Sequence, residues 1–417
     1  MRESRYLEHK EDISNSFLKT VSAFANYQGG IITFGIRDNG EVVGMHNPKE
    51  ACLVIENTIN DSIHPKVDFL LQVTEDTNVI VLTVKEGLDK PYFYKSKAYK
   101  RNDSSTVEVE SYELRRLILE GQNKTYESLP AEKQDITFHY LERSLMTQMS
   151  IQSLTDDILI TLGLYKKDEG FNRAAELLSD ENTLFGIDVV RFGESINIIL
   201  DRETYAGISI LEQYDKAMTM YRKYYQYEEI KGALREKVQK IPEEAYREAI
   251  ANAIIHRAWD INANIRVAMY DERIEILSPG GLPAGMTRQE YLEGQISILR
   301  NPIIGNVFFR LHHIERFGTG VKRINSAYSE SKVKPIFAVF DNSIKVVLPV
   351  MQKEFPFGND EKLVYDSLMR NRNLSSSEVA EYTGFGKTKV VKLLRLLVDQ
   401  GYVKIEGKGR GTTYTTT

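Results

Sequence analysis

Cysteine is almost missing from this chain: Cys52 is the single thiol among 417 residues. One thiol cannot build an intrachain disulfide framework or a multi-thiolate zinc site, and in a reducing compartment it reads as a core residue rather than a nucleophile. Long apolar runs are missing too. The longest, such as Ile31 to Phe34 and Val79 to Val84, have strand length, far short of the ~20 residues that a membrane span requires. The opening MRESRYLEHKED has no apolar stretch behind its charges, so neither a secretory signal nor a membrane partner is expected, and the predicted location is cytoplasmic. No Walker A sequence occurs, which removes the phosphate cradle of a helicase motor. There is no internal repeat, and the closing TTYTTT is only a short biased tail. Positive charge is not in excess either: the net charge is −5, so any surface for a polyanion must be local.

What is present, 42% hydrophobic and 27% charged residues, is the make-up of a soluble folded protein. At about 100–200 residues per domain, three α+β domains are expected, at 1–123, 135–350 and 359–417. In the first, Phe17, Val21, Phe24 and Ala25 recur at helical spacing, with Asp12 and Ser14 as cap candidates and Gly29-Gly30 as the stop. IITFGI, the turn Asp38-Asn39-Gly40 and EVVGM then read as a hairpin, because Asn-Gly accepts the positive φ of a tight turn. A helix around Ala51–Ile59 and strands from Val67 and Val79 follow, and YELRRLILEG is helical again. The polar stretch 124–134 reads as a linker. In the second domain, strands such as INIIL and RIEIL mix with long helices such as Tyr205–Glu236, whose YRKYYQYEEI reads as a packed or solvated helix rather than a nucleobase platform. MQKEFPFGND punctuates the domain's end.

The C-terminal segment has a helix-turn-helix layout. Leu363, Leu368 and Met369 line a first helix, Ser376–Tyr382 forms a second after a loop ending at Ser375, and Gly384 turns the chain. Thr388–Gln400 is the third, with Val391, Leu394 and Val398 on its apolar face and Gly401 as its stop. YVKIE, a Gly407–Gly411 loop and TTYTT would form a wing beside it. From Glu361 onward there are ten Lys and Arg against six Asp and Glu. Lys387, Lys389, Lys392 and Arg395 lie along the third helix, where a major-groove helix presents its side chains, and Lys408 and Arg410 tip the wing. The expected partner is double-stranded DNA, bound by a homodimer reading paired half-sites; a dimerisation or protein-docking role fits the same layout.

In the middle domain, EAYREAIANAIIHR puts Glu248 and Asn252 four apart on one helical face, with His256 a turn further. Such a Glu can polarise water while the Asn oxygen ligates Mg²⁺ at a phosphate site. Glycines 280, 281, 285, 318 and 320 would let backbone approach a phosphate-bearing ligand, or simply shape turns. REAIANAIIHRAWD, IEILSPGGLP and RNPIIGNVFFRLHHIERFGTGVKRI resemble the RecG C-terminal-related ATP-binding domain of the GHKL superfamily. That resemblance, over roughly 240–325, implies a GHKL-like α/β sandwich binding ATP and Mg²⁺ under a lid. Glu248 would activate water, Asn252 would hold the metal, Gly280 and Gly281 would form the first glycine box, and Gly318 and Gly320 would be the lid glycines. The chain departs from the pattern at Ser278, where active members carry an Asp for the adenine amino group.

At the N-terminus, ESRYLEHKEDISNSFLKTVSAFANYQGGIITFGIRDNGEVVG and PYFYKSKAYKRNDSSTVEVESYELRR are similar to the Schlafen-type AlbA-like domain. This implies nucleic-acid binding, to RNA or a single strand, and, by likeness to the Schlafen nucleases, metal-dependent cleavage through Glu3, Glu8 and Asp38 with Lys10 beside them. Those residues also read as surface charges and as the first residue of an Asp-Asn-Gly turn. Lys95, Lys97, Lys100 and Arg101, interleaved with Tyr92, Phe93, Tyr94 and Tyr99, form a second candidate nucleic-acid patch. The resulting expectation is a DNA-binding transcriptional regulator whose nucleotide-binding domain controls DNA binding or assembly. The alternatives are a metal-dependent nuclease, in phage defence, or a GHKL-type ATPase.

Overall fold

The computed structural model describes residues 2–149, 151–231, 234–283, 285–294, 298–315, 318–352, 358–371, 373–407 and 409–416, with the side chains of 231, 234 and 410 left aside. The chain divides into two compact units, Met1–Ser329 with Lys334–Val350, and Glu330–Val333 with Met351–Thr417.

The larger unit begins with a four-stranded sheet in the order Leu7–Lys10, Gly30–Phe34, Val79–Val84, Phe69–Thr74. The first two strands run parallel, Leu7 opposite Ile31, joined by the helix Phe17–Asn26; the remaining pairings are antiparallel. The helix buries Phe17, Val21, Phe24 and Ala25 as its spacing predicts, and Phe17 meets Phe34 edge-on at 5.3 Å. The second helix is longer than expected, Pro48–Ser62, because Pro48 starts it with φ already set. The Asp38-Asn39-Gly40 turn forms, Gly40 N–H donating to Arg37 O at 2.8 Å. The returning segment pairs only through the bridge Ile36↔Val42 instead of a full strand, since Val43 and Gly44 both donate to the one carbonyl of Gly35. A second antiparallel sheet follows, Ile63–His64, Phe93–Tyr94, Lys97–Asn102 and Ser105–Glu108, then the helix Ser111–Gly121.

The stretch expected to be a linker is instead packed. Glu127 is fully buried, and its two carboxylate oxygens accept the backbone N–H groups of Ile303 at 2.6 Å and Ile304 at 2.9 Å, in the first turn of the helix Pro302–Arg310. Asn301, which stands at the cap position, makes no side-chain capping bond, and its amide nitrogen donates to Ile255 O and Arg257 O. Glu127 therefore supplies the acceptors that a helix N-terminus requires from 176 residues away.

A six-stranded sheet forms the centre of this unit, in the order Ile199–Tyr205, Ile187–Phe192, Ile265–Met269, Arg273–Pro279, Ser343–Pro349, Ile336–Phe340. Ile187–Phe192 and Ile265–Met269 run parallel. The helices Ile210–Tyr225 and Glu243–Ile255 pack against it. The expected helix Tyr205–Glu236 is thus too long by far. It ends where the Tyr225 hydroxyl reaches the carbonyls of Tyr270 and Arg273, and the chain continues as an antiparallel ribbon, Gln226–Lys231 with Leu234–Gln239; tertiary pairing overrides helix propensity there. Three of its tyrosines, Tyr214, Tyr221 and Tyr225, are core, and Tyr221 stacks between Tyr225 and Tyr246 at 6.0 and 4.6 Å, while Tyr227 is exposed.

The smaller unit carries the three helices Asn359–Arg370, Ser376–Thr383 and Lys387–Asp399 and a hairpin, Val403–Glu406 with Thr413–Thr416. Leu374 bridges to Tyr414 beside it, completing a winged helix. A Ser375–Glu378 capping box opens the second helix and Gly384 closes it in the left-handed region. The buried faces differ from those expected by about one residue. Val364 and Leu368 are buried while Leu363 and Met369 are exposed, and Val390, Leu393, Leu394 and Leu397 form the core side of the third helix. Each helix offers two apolar stripes, and the inner face of a three-helix bundle has room for one of them.

Burial outweighs the two N–H donors and pushes the Glu127 carboxyl up from 4.5 to about 7. The folded value lies above the unfolded one, so the stabilising contribution is complete below about pH 4.5 and is lost as the pH rises through about 7, at most about 3 kcal/mol. Glu127→Gln is expected to flatten the pH dependence of the melting temperature between about pH 5 and pH 8. An unchanged slope would assign that dependence elsewhere.

Candidate functional site

The helix Glu243–Ile255 turns Glu248, Ala249, Asn252 and Ala253, and beyond its end His256, toward a cleft. Repeats of three and four residues put these positions on one face. The cleft is partly enclosed and partly open to solvent. Its walls are mostly apolar, with Ile276, Ile344 and Val346 on the sheet side and Leu282, Met286 and Tyr291 opposite.

Glu248 is only 4% exposed. Asn252 Nδ2 donates to its Oε1 at 3.2 Å, while Oε2 has no partner among the described residues. Burial raises the Glu248 carboxyl above its ordinary range, against the Asn252 hydrogen bond and the charges of Arg323 and Arg247, which lower it. Gly320 opens the helix Gly320–Ala327 directly against this pair: a Cβ there would lie 2.5 Å from Asn252 Nδ2 and 2.6 Å from Glu248 Oε1. Gly318, with φ 63°, and Thr319 line the cleft beside it. An orphaned buried carboxylate, a neighbouring amide and a helix N-terminus that only glycine allows so close suit a metal-bound polyphosphate. Among the described residues no group of three His, Cys, Asp or Glu could hold a metal, so Mg²⁺ here would rely on Asn252 and the ligand's own oxygens.

The other end of the cleft fits an adenine less well. Ser278, at the position of the family's Asp, is buried and donates its hydroxyl to Ala253 O at 2.8 Å, so no carboxylate faces a base there. Gly280 and Gly281 do not line the cleft among the described residues. They shape a turn instead: a Cβ on Gly280, at φ +104°, would be 2.7 Å from Ala258 Cβ, and one on Gly281 would be 2.2 Å from Asp341 O. His256 lines the cleft, and burial, followed by the charge of Arg300, pushes its imidazole down to about 4, leaving it neutral near pH 7.

The structure does not assemble Glu3, Glu8 and Asp38 into a metal site. Glu8 is buried and its oxygens are taken by Lys10 Nζ at 2.8 Å, Thr20 Oγ1 at 2.6 Å and Arg101 Nη1. Glu3 accepts the His9 backbone N–H at 2.9 Å, and Asp38 is exposed on its turn. The basic and aromatic cluster is divided: Lys95 and Lys97 are exposed, while Arg101 is buried against Glu8. Lys97 pairs with Glu108 and Lys100 with Glu113, while Tyr92, Tyr94 and Tyr99 are buried.

In the smaller unit, Lys387, Thr388, Val391, Lys392, Arg395, Leu396 and Asp399 line a shallow groove along the third helix. Lys387, Lys392 and Arg395 have no ion-pair partner there among the described residues. Lys389 does, with Asp360 at 2.7 Å and its ammonium over the Phe385 ring, so it is drawn off the groove. Thr388 and Val391 were not apparent as groove residues, although the 388, 391, 395, 399 spacing marks one helical face. Lys408 lies outside the described residues, as does the Arg410 side chain.

Comparison with known proteins follows the same three segments. Residues 3–110 match the family model "Schlafen, AlbA_2", residues 262–348 match "Putative ATP-dependent DNA helicase recG C-terminal", and residues 351–417 match "Sugar-specific transcriptional regulator TrmB". The second match covers the glycines at 280, 281, 318 and 320 and begins after the helix that carries Glu248 and Asn252. In fold, 99% of this chain aligns with 92% of the DIP2311 protein from Corynebacterium diphtheriae, at a TM-score of 0.50 and 18% identity. A quarter of the chain, 25%, aligns with 83% of the N-terminal domain of a RecG-related helicase protein from Nitrosomonas europaea at 26% identity and a TM-score of 0.20. No curated protein matches. The chain therefore combines an AlbA-like α/β domain, a RecG-type ATPase-like domain and a regulator-type winged helix, and no helix among its described residues is long and apolar enough to cross a membrane.

A ligand-free carboxylate held in this way lowers stability. Glu248→Gln is expected to stabilise the unliganded chain by about 1–3 kcal/mol, read by chemical denaturation. Destabilisation would mark Glu248 as a structural anchor instead.

Proposed function

We propose that this protein is a DNA-binding transcriptional regulator whose winged helix contacts duplex DNA, and that Mg²⁺-ATP in the cleft of the larger unit controls that binding or the assembly of a homodimer. The observation that carries the reading is the exposed face of the third helix, where three cations stand unpaired around Thr388 and Val391. Elsewhere in the chain such cations are matched with carboxylates, as happens to Lys97 and Lys100. Left open along one helix, they suit phosphate contacts and the acceptor edges of bases.

At the cleft, Asn252 would hold the metal, the backbone beginning at Gly320 would meet phosphate oxygens, and Glu248 would orient water at the terminal phosphate. Bound Mg²⁺ would neutralise phosphate charge and polarise the phosphoryl group. The raised affinity of Glu248 for protons suits it to accept one from a water it orients. Burial keeps water sparse around the pair, which strengthens each polar contact. The nuclease alternative draws no support from the ion-paired Glu8, and no cleavage step is assigned to the N-terminal domain.

Two measurements test the reading. Calorimetric titration of Mg²⁺-ATP into the full chain should show binding that Asn252→Ala abolishes; absence of binding at millimolar nucleotide would leave the cleft to another ligand. In gel-shift titrations, Arg395→Ala and Lys392→Ala should each weaken duplex binding, by about 1–3 kcal/mol where a base edge is read. Lys389→Ala should change it little, because that ammonium is already paired with Asp360. Equal losses at all three positions would refute the groove assignment.

A further inference from the structure

The six-stranded sheet ends on two strands that treat their open edges differently. Each has a neighbour on one side only among the described residues, so each presents a row of backbone N–H and C=O groups that another strand can join. Ile199–Tyr205 reads ILDRETY, and its adjacent Asp201, Arg202 and Glu203 are the charged make-up that keeps an edge from pairing. Ile336–Phe340 reads IFAVF and has no such guard. It carries neither charge nor proline, yet Ile336 is 60% and Phe340 53% exposed.

These two side chains share one face of the sheet. On the neighbouring strand Ile336 stands opposite Val347, Ala338 opposite Lys345 and Phe340 opposite Ser343. Alternation turns Phe337 to the other face, where it lines the cleft and meets the Tyr291 ring edge-on at 6.5 Å. An exposed apolar edge of this kind is a template for pairing unless something covers it.

The order of the residues points to what covers it. Hydrogen-bonded and non-hydrogen-bonded pairs alternate along an antiparallel ladder, so a two-fold axis perpendicular to the sheet stands only at a residue that opposes itself. Centred on Ala338, the strand meets its own copy with Ile336 opposite Phe340, Phe337 opposite Val339 and the smallest side chain on the axis. All five positions then face apolar partners, and the outer two form the β-branched–aromatic pairs that stabilise sheets. Centring on Phe337 would set Pro335, which has no N–H, against Val339, and centring on Val339 would set Asp341 against Phe337. Charge favours the same arrangement. Lys334 precedes the strand and Asp341 follows it, both exposed, and the Lys334 ammonium donates to the neutral carbonyls of Tyr328 and Ser329. Antiparallel pairing brings the cationic end of each copy beside the anionic end of the other.

We propose that the strand Ile336–Phe340 is a homodimer interface, at which two copies of this chain pair antiparallel about Ala338 and join their six-stranded sheets into one. The proposal gives the homodimer of the regulator reading its surface and rests on that reading. Five residues a side make a small contact of the weak, reversible class, as an assembly under control requires. The other face of the same strand is a wall of the cleft, so pairing and cleft occupancy act on one element.

Sedimentation equilibrium of the full chain, without DNA or nucleotide, reads the association, and thermal melting confirms that each variant folds. The unaltered chain should dimerise reversibly with a micromolar Kd. Ala338→Glu sets two carboxylates face to face on the axis, while within one chain it stands opposite Lys345; it should fold normally and raise Kd at least about tenfold. Ile336→Lys and Phe340→Glu should each weaken self-association to a similar degree. Mixed in equal amounts, these two variants should recover a heterodimer, because the ammonium of one then faces the carboxylate of the other. An unaltered chain that stays monomeric up to about 100 μM, a dimer that Ala338→Glu leaves intact, or a mixture no tighter than its components would overturn the proposal. A monomer that still shifts duplex DNA would overturn this interface and spare the regulator reading, whereas a dimer that shifts none would refute that reading and not the interface.

Discussion

Arg257 is fully buried, and the partners that hold it are carbonyls: Phe185 O at 3.0 Å, Ile261 O at 3.2 Å and Ala263 O at 2.6 Å. Its guanidinium lies 4.0 Å from the Trp259 ring. Burial pushes it down to about 10, so it is still cationic at neutral pH. A cation in such a place is tolerated only while its acceptors stay put. Those acceptors stand just before the strands Ile187–Phe192 and Ile265–Met269, whose parallel pairing organises the six-stranded sheet. Asn301 grips the carbonyls of Ile255 and Arg257 themselves. The helix that ends at Ile255 is consequently fixed in rotation, and with it the direction in which Glu248 and Asn252 point.

Where a structural pattern was local, the sequence displayed it. The Phe17, Val21, Phe24 spacing, the Glu248–Asn252 pair and the helix-turn-helix layout all arise from periodicity within one element, and each is found in the folded chain. Charged residues were harder to read because their meaning depends on distant partners. Glu8 looked like a metal ligand until the fold brought Arg101 to it across 93 residues. Lys389 looked like its neighbours until Asp360 claimed it. Ribbon formation after Tyr225 was hidden for the same reason, since the stop is a hydroxyl bonded to carbonyls some 45 positions on. The cleft was legible as chemistry but not as lining, because Gly280 and Gly281 face protein while Gly318 and Gly320 face the site.

The two ends of the chain handle charge in opposite ways. Near the N-terminus, Lys97, Lys100 and Arg101 are matched by carboxylates within the domain, and the rings of Tyr92, Tyr94 and Tyr99 are sealed in the core. In the winged helix, the core is built from Val364, Leu368, Val390, Leu394 and Leu397, which leaves the polar side of the third helix uncommitted. Stability and recognition are thereby separated onto two faces of one helix, so side chains on the groove side can vary without disturbing the bundle.

The capping of the Pro302–Arg310 helix by Glu127 bears on how such a chain can be cut and recombined. By composition, residues 124–134 are the obvious place to join one module to another. Yet this stretch carries the acceptors for a helix that stands more than a hundred residues downstream. A middle domain moved to a new neighbour without it would leave backbone donors uncapped beneath its own cleft. Its heritable unit therefore begins inside the apparent linker, and the seam at which the architecture can be shuffled lies upstream of Glu127.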